Sequence, residues 1–151
     1  MQKLLSTNRN STLALIARLT LGLVLFPHGA QKLFGWFGGY GFGGTMGFLT
    51  TMAGLPYLIA LLVILIEFIG SLFLILGLAT RIASFAIIIN FIGVVLTSHI
   101  QNGFFMNWGM KANQGEGIEF FILLFGLALI SLIAGGGMAS LDTFIARRSE
   151  E

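Results

Sequence analysis

The chain has no cysteine and few charged residues, and each shortage excludes a class of protein. Without cysteine there is no disulfide framework, no thiol redox chemistry and no thiolate ligand for zinc or an iron–sulfur centre. Charged residues make up only 9% of the sequence and the net charge is +2, so there is no basic face for nucleic acid. Any redox chemistry must therefore come from a bound cofactor or substrate.

What the chain has in abundance is apolar residues. Of its 151 residues 56% are hydrophobic, and the mean hydropathy is +0.95, a combination typical of integral membrane proteins. Lys3 and Arg9 precede the first apolar run, as in a secretory signal. That run is long, however, and lacks a cleavage pattern of small residues, which predicts a retained membrane span.

Four apolar runs predict an all-α integral membrane four-helix bundle. The predicted spans are about 12–34, 57–78, 82–97 and 118–134. They divide the chain into an N-terminal segment (1–11), a four-span membrane domain (12–142) and a tail (143–151). Pro27 lies inside the first span, where it predicts a kink near Leu23.

Two connecting segments differ from the spans in composition. Residues 35–56 and 101–117 are rich in glycine and aromatic residues. Glycine breaks regular helix and aromatic rings collect at the headgroups, so both segments are predicted to be interfacial loops.

The positions of lysine and arginine predict the orientation, because cytoplasmic loops carry an excess of both. One side would carry Lys3, Arg9, Arg81, Arg147 and Arg148, and the other Lys32 and Lys111. Both termini and the turn at Arg81 are therefore expected in the cytoplasm, with the two loops on the outer face.

Polar groups interrupt the spans in a pattern that predicts a site. The first span ends in His28, Gln31 and Lys32, and the second has Glu67 near its middle. His99 ends the third span and Glu119 begins the fourth. With the predicted orientation these groups converge on the outer half of the bundle, where ionisable side chains need protein, water or a ligand around them.

Each polar residue also has a structural interpretation. His28 and Lys32 could snorkel to the headgroups, Glu67 could form a structural pair, and His99 with Glu119 could pair between helices. For three further residues the structural role is the main expectation. Arg18 would snorkel, although it could also reach a partner, Arg81 would be a headgroup anchor, and Asn90 would form hydrogen bonds between helices.

Several motifs resemble the DoxX family of small membrane proteins. They are Pro27-His28-Gly29-Ala30-Gln31-Lys32-Leu33-Phe34, Glu67 in Ile-Glu-Phe-Ile-Gly70, Leu76-Gly77-Leu78-Ala79-Thr80-Arg81, His99-Ile-Gln-Asn102-Gly103-Phe104-Phe105, Gly117-Ile-Glu119-Phe and Ser140-Leu141-Asp142. The resemblance implies a four-helix membrane subunit. Some relatives are assigned to quinone-linked thiosulfate oxidation and others to redox or oxidative-stress complexes. No residues here select thiosulfate.

Together the residues and the resemblance lead us to expect a membrane subunit of a quinone-linked oxidoreductase, in the inner or plasma membrane. A quinone would be the cofactor, held by His28, Gln31, Lys32 and Asn102, with Glu67, His99 and Glu119 as catalytic residues. Because no flavin, haem or metal fingerprint is evident, electrons would come from a partner redox subunit or a small reductant. The lipid bilayer is the other expected partner, and small residues on the spans allow self-association.

Two alternatives remain open from the sequence. His28 and His99, the only histidines, could hold a haem. The chain could instead be a non-catalytic membrane scaffold or a permeation path for small molecules, whose charges line a polar cavity.

Overall fold

The apolar runs form helices throughout the described part of the protein. The structure is a computed structural model and describes residues 9–148, which contain no strand. Lys3 of the predicted N-terminal segment and residues 149–151 of the predicted tail lie outside the described residues. In chain order the helices are α1 (Thr12–Phe34), α2 (Gly41–Gly47), α3 (Tyr57–Leu76), α4 (Thr80–Val94), α5 (Glu119–Ala134) and α6 (Leu141–Arg148).

Three helical segments are long and apolar enough to cross a membrane, which implies contact with a lipid bilayer. They are α1, α3 and α4 with its continuation, Thr80–Asn102. The last segment widens into a π-helical turn at Val95–His99 before it ends. Helix α5 is apolar but has only 16 residues. Helix α1 has the bounds predicted for the first span, and α3 and α5 differ from the second and fourth by two residues or fewer. Helix α4, Thr80–Val94, begins two residues before the predicted third span and ends three before its end.

Helices α1, α3, α4 and α5 pack around one apolar core. Its buried residues are Leu21, Leu25, Leu74, Ala83, Ile87, Phe91, Phe121, Leu124 and Ala128. Helices α1 and α3 approach closely because glycines replace side chains at their contact. A Cβ added to Gly22 would lie 3.0 Å from the Ser71 carbonyl oxygen, and seven residues later Gly29 faces α3 in the same way. Two glycines seven apart lie on one helix face.

The prediction that residues 35–56 lack regular helix is wrong for part of the segment. Helix α2 occupies Gly41–Gly47 and continues as a π-helical turn over Phe48–Met52. Met46 is buried against Ala60 and Ile64 of α3 in a second apolar cluster. Each glycine in a helix costs only about 0.5–1 kcal/mol, so packing of this kind can outweigh the local preference.

The beginning of the predicted tail is also helical. Helix α6 starts at Leu141, and the Ser140 hydroxyl oxygen accepts a hydrogen bond from the Thr143 amide at 3.1 Å. This is the interaction of a serine that caps a helix N-terminus. Thr143 is buried, so α6 packs against the bundle.

Arg18 is buried inside this end of the bundle, so the expectation that it snorkels is wrong. Its side chain is 1% exposed, and its guanidinium donates to the carbonyl oxygens of five residues. The acceptors, at 2.7 to 3.1 Å, are Leu74, Ile75, Gly136, Met138 and Ala139. Carbonyls at a helix C-terminus lack partners within the helix, and a cation is favourable there. Arg18 thus joins α1 to the end of α3 and to the α5–α6 connection.

At the same end of the bundle, Asp142 caps the N-terminus of α4 from a distant part of the chain. Its carboxylate accepts hydrogen bonds from the amides of Ala79 and Thr80 at 2.7 and 2.9 Å, and its own amide donates to the Gly77 carbonyl at 2.9 Å. Ala79 precedes α4 and has no side chain that could cap it. Gly77 has φ of 65° and ends α3 in a left-handed turn that favours glycine.

We predict that Arg18→Met destabilises the protein by at least about 3 kcal/mol, because several buried carbonyls lose a charged donor at once. The free energy of unfolding in mild detergent, from denaturant titration, measures the effect. Lys111→Gln is the control, because Lys111 is exposed in a loop. Equal unfolding free energies for the two variants would contradict the role given to Arg18.

Candidate functional site

The buried carboxylate of Glu67 forms an ion pair with Lys32. Glu67 lies midway along the 20-residue helix α3, and Lys32 lies in the last turn of α1. The ammonium donates to Glu67 Oε2, and the two side chains are 30% and 2% exposed. A carboxyl group at this depth was expected to be protonated or paired, and the structure has it paired. Lys32 therefore reaches into the protein, although part of its side chain remains accessible.

The pair forms because the backbones of α1 and α3 meet one turn earlier. A Cβ at Gly29 would lie 2.6 Å from the Cα of Phe68, closer than any real side chain comes. Glycine at this position lets Lys32, three residues further on, reach Glu67. The motif that contains His28, Gly29 and Lys32 thus combines close packing with a charged group.

Three phenylalanine rings pack together close to the positions of the ion pair along α1 and α3. Phe68 follows Glu67, and its ring lies 5.1 Å from Phe34 in an edge-to-face arrangement and 5.7 Å from Phe26. Aromatic side chains next to a few placed polar groups are typical of sites for small organic ligands.

The other two residues expected from α1 have different surroundings. The Gln31 side-chain amide donates to the Phe37 carbonyl at 3.1 Å, which holds the start of the first loop against the helix end. His28 is exposed and has no hydrogen bond in the described part of the chain. His28 lies four residues before Lys32 on α1, but only Lys32 forms an ion pair with Glu67.

His99 and Asn102, where the second loop begins, both bind the carbonyl of Glu116, where that loop ends. The oxygen of Glu116 lies 2.9 Å from His99 Nδ1 and accepts from Asn102 Nδ2 at 3.0 Å. The His99 ring packs against Phe121 with centroids 4.6 Å apart. The end of α4 and the start of α5 are thereby held together.

Glu119 orders the second loop from the first turn of α5. Its Oε1 accepts from the Met106 amide at 3.1 Å and from the indole of Trp108, while Glu116 Oε2 accepts from the Asn107 amide. Sequence analysis did not single out Glu116. The one available signal was its spacing, three residues before Glu119, which places two carboxylates next to the N-terminus of a helix.

The structure thus resolves the expected polar site into two sets. One consists of Lys32 and Glu67, and the other of His99, Asn102 and Glu119 with Glu116. Within residues 9–148 no hydrogen bond or ion pair joins the two sets. In the same range no three His, Cys, Asp or Glu side chains lie close enough to hold a metal ion.

A cavity of about 160 Å³ lies between α1 and α5, away from the ion pair. Its lining is apolar and includes Leu21, Val24, Leu123 and Leu124. Val24 is eight residues from Lys32, or about 12 Å along the helix. The cavity therefore does not enclose the polar residues.

These features define a helical membrane protein with an ion pair between two of its spanning helices. The family profile of DoxX matches residues 13–100, more than half of the chain, and the chain belongs to the DoxX family. The matched part includes Lys32, Glu67 and His99 and ends before Glu119.

A curated relative is also similar over most of its length. It is a Bacillus subtilis (strain 168) protein named "Putative oxidoreductase CatD", 29% identical over 131 residues, which cover 87% of this chain and 85% of the relative. No solved structure matches the chain.

We predict that Gly29→Ala lowers the free energy of unfolding by about 1–3 kcal/mol, because the added methyl group forces α1 away from the α3 backbone. Chemical denaturation of the purified protein measures the change. Gly93→Ala is the control, since a Cβ there meets nothing within 4 Å. It should be neutral or stabilise α4 by up to about 1 kcal/mol. A loss of the same size in both variants would contradict the close contact.

Proposed function

We propose that this protein is the membrane subunit of a quinone-linked oxidoreductase in the plasma or inner membrane. The observation that carries the proposal is the Glu67 carboxylate, buried midway along a spanning helix and paired with a partly exposed Lys32. Burying such a pair is expensive, and ionisable residues within membrane spans commonly belong to proton or substrate pathways. The name of the Bacillus subtilis relative, "Putative oxidoreductase CatD", agrees with this chemistry.

The proposal includes four spans, with α5 as the fourth and both termini in the cytoplasm. The cytoplasmic side would then contain Arg9, Arg81 and helix α6 with Arg147 and Arg148. Lys111 would lie on the outer side. Arg18 and Asp142 would join the helices at the inner end, and the ion pair would lie in the outer half.

A reporter fused after Glu151 is therefore predicted to face the cytoplasm, because most of the basic residues lie on that side. Paired fusions of an enzyme active only in the cytoplasm and one active only outside it measure the orientation. The matched control is a fusion within the second loop, after Gly109, which should give the opposite result. An outward-facing C-terminus would overturn the proposed topology.

The residues of the first set fit the head group of a quinone. Lys32 can donate a hydrogen bond to a quinone carbonyl oxygen, and the packed rings of Phe26, Phe34 and Phe68, at nearby positions of the same two helices, offer an apolar surface. Reduction to the quinol adds a proton to each oxygen, and a carboxyl group such as Glu67 can exchange such protons with the ligand. Electrons would be supplied by a partner redox subunit or a small reductant.

The second set would form the mouth of the site. His99, Asn102 and Glu119 order the outer loop through Glu116 and Trp108, and His28 and Gln31 lie at the end of α1. In the proposal His99 and Glu119 pass protons between the outer aqueous phase and Glu67, while His28, Gln31 and Asn102 contact the ligand as it enters.

A non-catalytic scaffold is the second candidate, and one observation favours it. Glu67, His99 and Glu119 all have partners within the protein, as residues that only stabilise a fold would have. A scaffold of this kind could assemble with further copies or with other membrane proteins. It would need no quinone and no titrating group at position 67.

We predict that Glu67→Gln lowers quinone reduction by at least about tenfold, because general acid–base groups contribute typically about 10²–10⁴-fold. The variant keeps the shape of the side chain and a hydrogen-bonding oxygen. Reduction of a short-chain quinone is measured in membranes of the cells that make the protein, with the variant in place of the native chain.

Lys111→Gln is the control, because Lys111 is exposed in the second loop and belongs to neither set of polar residues. Rates unchanged in both variants, with the protein present at native levels, would contradict proton exchange at Glu67. Lipid extracted from the purified protein is analysed by mass spectrometry in parallel. A co-purifying quinone supports the oxidoreductase, and phospholipid alone favours the scaffold.

A further inference from the structure

Asn90 is a buried amide whose donor group has no partner. The residue lies on α4, is 8% exposed, and its Nδ2 atom makes no hydrogen bond. Buried polar groups are nearly always hydrogen-bonded, and inside a membrane bundle bulk water cannot satisfy them. An unpaired donor at this position therefore indicates that a hydrogen-bond acceptor is missing.

The register of two helices places Asn90 at the level of the ion pair. Helices α3 and α4 are antiparallel, since only three residues separate Leu76 from Thr80. A Cβ at Gly70 would contact the Ile87 side chain at 3.4 Å, so these two positions face each other. Glu67 is three residues before Gly70 and Asn90 three after Ile87. Glu67 therefore lies about 4.5 Å from Gly70 along α3, and Asn90 about 4.5 Å from Ile87 along α4. Both steps lead toward the same end of the bundle and stay on the helix faces that meet at Gly70 and Ile87.

We propose that Asn90 is a ligand-binding residue of the site that contains Lys32 and Glu67, and that Nδ2 donates to a neutral carbonyl oxygen of the bound quinone. The inference rests on the proposed function and adds a named contact to it. Lys32 supplies a charged donor from α1, Glu67 an acceptor from α3, and Asn90 a neutral donor from α4. Three helices would then each contribute one polar group to the ligand.

Two hydroxyl groups on α4 are also unpaired, but they lie at a different level of the helix from Asn90. Thr80 and Ser84 have buried hydroxyl oxygens without partners, but they lie near the start of the helix, where Asp142 caps it. Ser84 is six residues before Asn90, or about 9 Å along the helix. Ser84 is buried and unpaired like Asn90, but it does not lie at the level of Glu67. It is therefore a matched control.

The test measures binding of a short-chain ubiquinone analogue to the full-length protein in lipid nanodiscs. Wild type is compared with Asn90→Leu, Ser84→Ala and Glu67→Gln, and the melting temperature of each is recorded. Loss of one hydrogen bond weakens binding by about tenfold, so we expect that change for Asn90→Leu and none for Ser84→Ala. If Asn90→Leu does not fold, Asn90→Ala replaces it in the comparison.

The outcomes separate this inference from the function it rests on. Weaker binding in Asn90→Leu at an unchanged or raised melting temperature supports the contact. Wild-type binding in Asn90→Leu, with a raised melting temperature as in Ser84→Ala, overturns it and assigns the unpaired amide to an enclosed water or a packing defect. If Glu67→Gln binds weakly while Asn90→Leu binds normally, the proposed function stands without Asn90. If the wild type binds no quinone, both fail.

Discussion

One end of the bundle depends on the hydrogen bonds that the Arg18 guanidinium donates to backbone carbonyls. It donates to carbonyls of α3 and of the α5–α6 connection, while Asp142 caps α4 from α6. In an apolar surrounding no water can replace these donors and acceptors, so each helix end needs its partner from another part of the chain. One cation and one carboxylate thus hold the ends of four helices in one arrangement, and the motifs around Gly77 and Ser140 contribute to the same junction.

The opposite end of α1 and the middle of α3 contain the second charged contact, between Lys32 and Glu67. Here the cation meets the carboxylate directly, so the pair satisfies itself and leaves part of Lys32 accessible. The first charged group is fully hydrogen-bonded and stabilises the fold, whereas the second leaves part of Lys32 accessible and, in our proposal, exchanges protons. The difference in exposure between Arg18 and Lys32 is the physical basis for giving them different roles.

Sequence analysis predicted the long helices well and the short ones poorly. The bounds of α1 follow from an apolar run with Ser11 before it and Gly35 after it, both of which interact locally with the helix ends. Helix α2 was missed because its glycines argue against helix, whereas burial of Thr45 and Met46 in the folded protein supports it. Snorkelling of Arg18 was a wrong expectation because its five acceptors lie more than 50 residues away along the chain.

Composition and periodicity by themselves determined that this chain is a helical membrane protein, because the hydrophobic effect and backbone hydrogen bonding act locally along each span. They also identified the residues that need a partner, since an ionisable group in an apolar run is costly wherever the run ends up. Only the tertiary structure decided which partner each one has: Glu67 for Lys32, Glu116 for His99, backbone carbonyls for Arg18. Those choices depend on where α1 crosses α3 at Gly29 and on how distant loops meet, and a spacing along the chain does not contain that information.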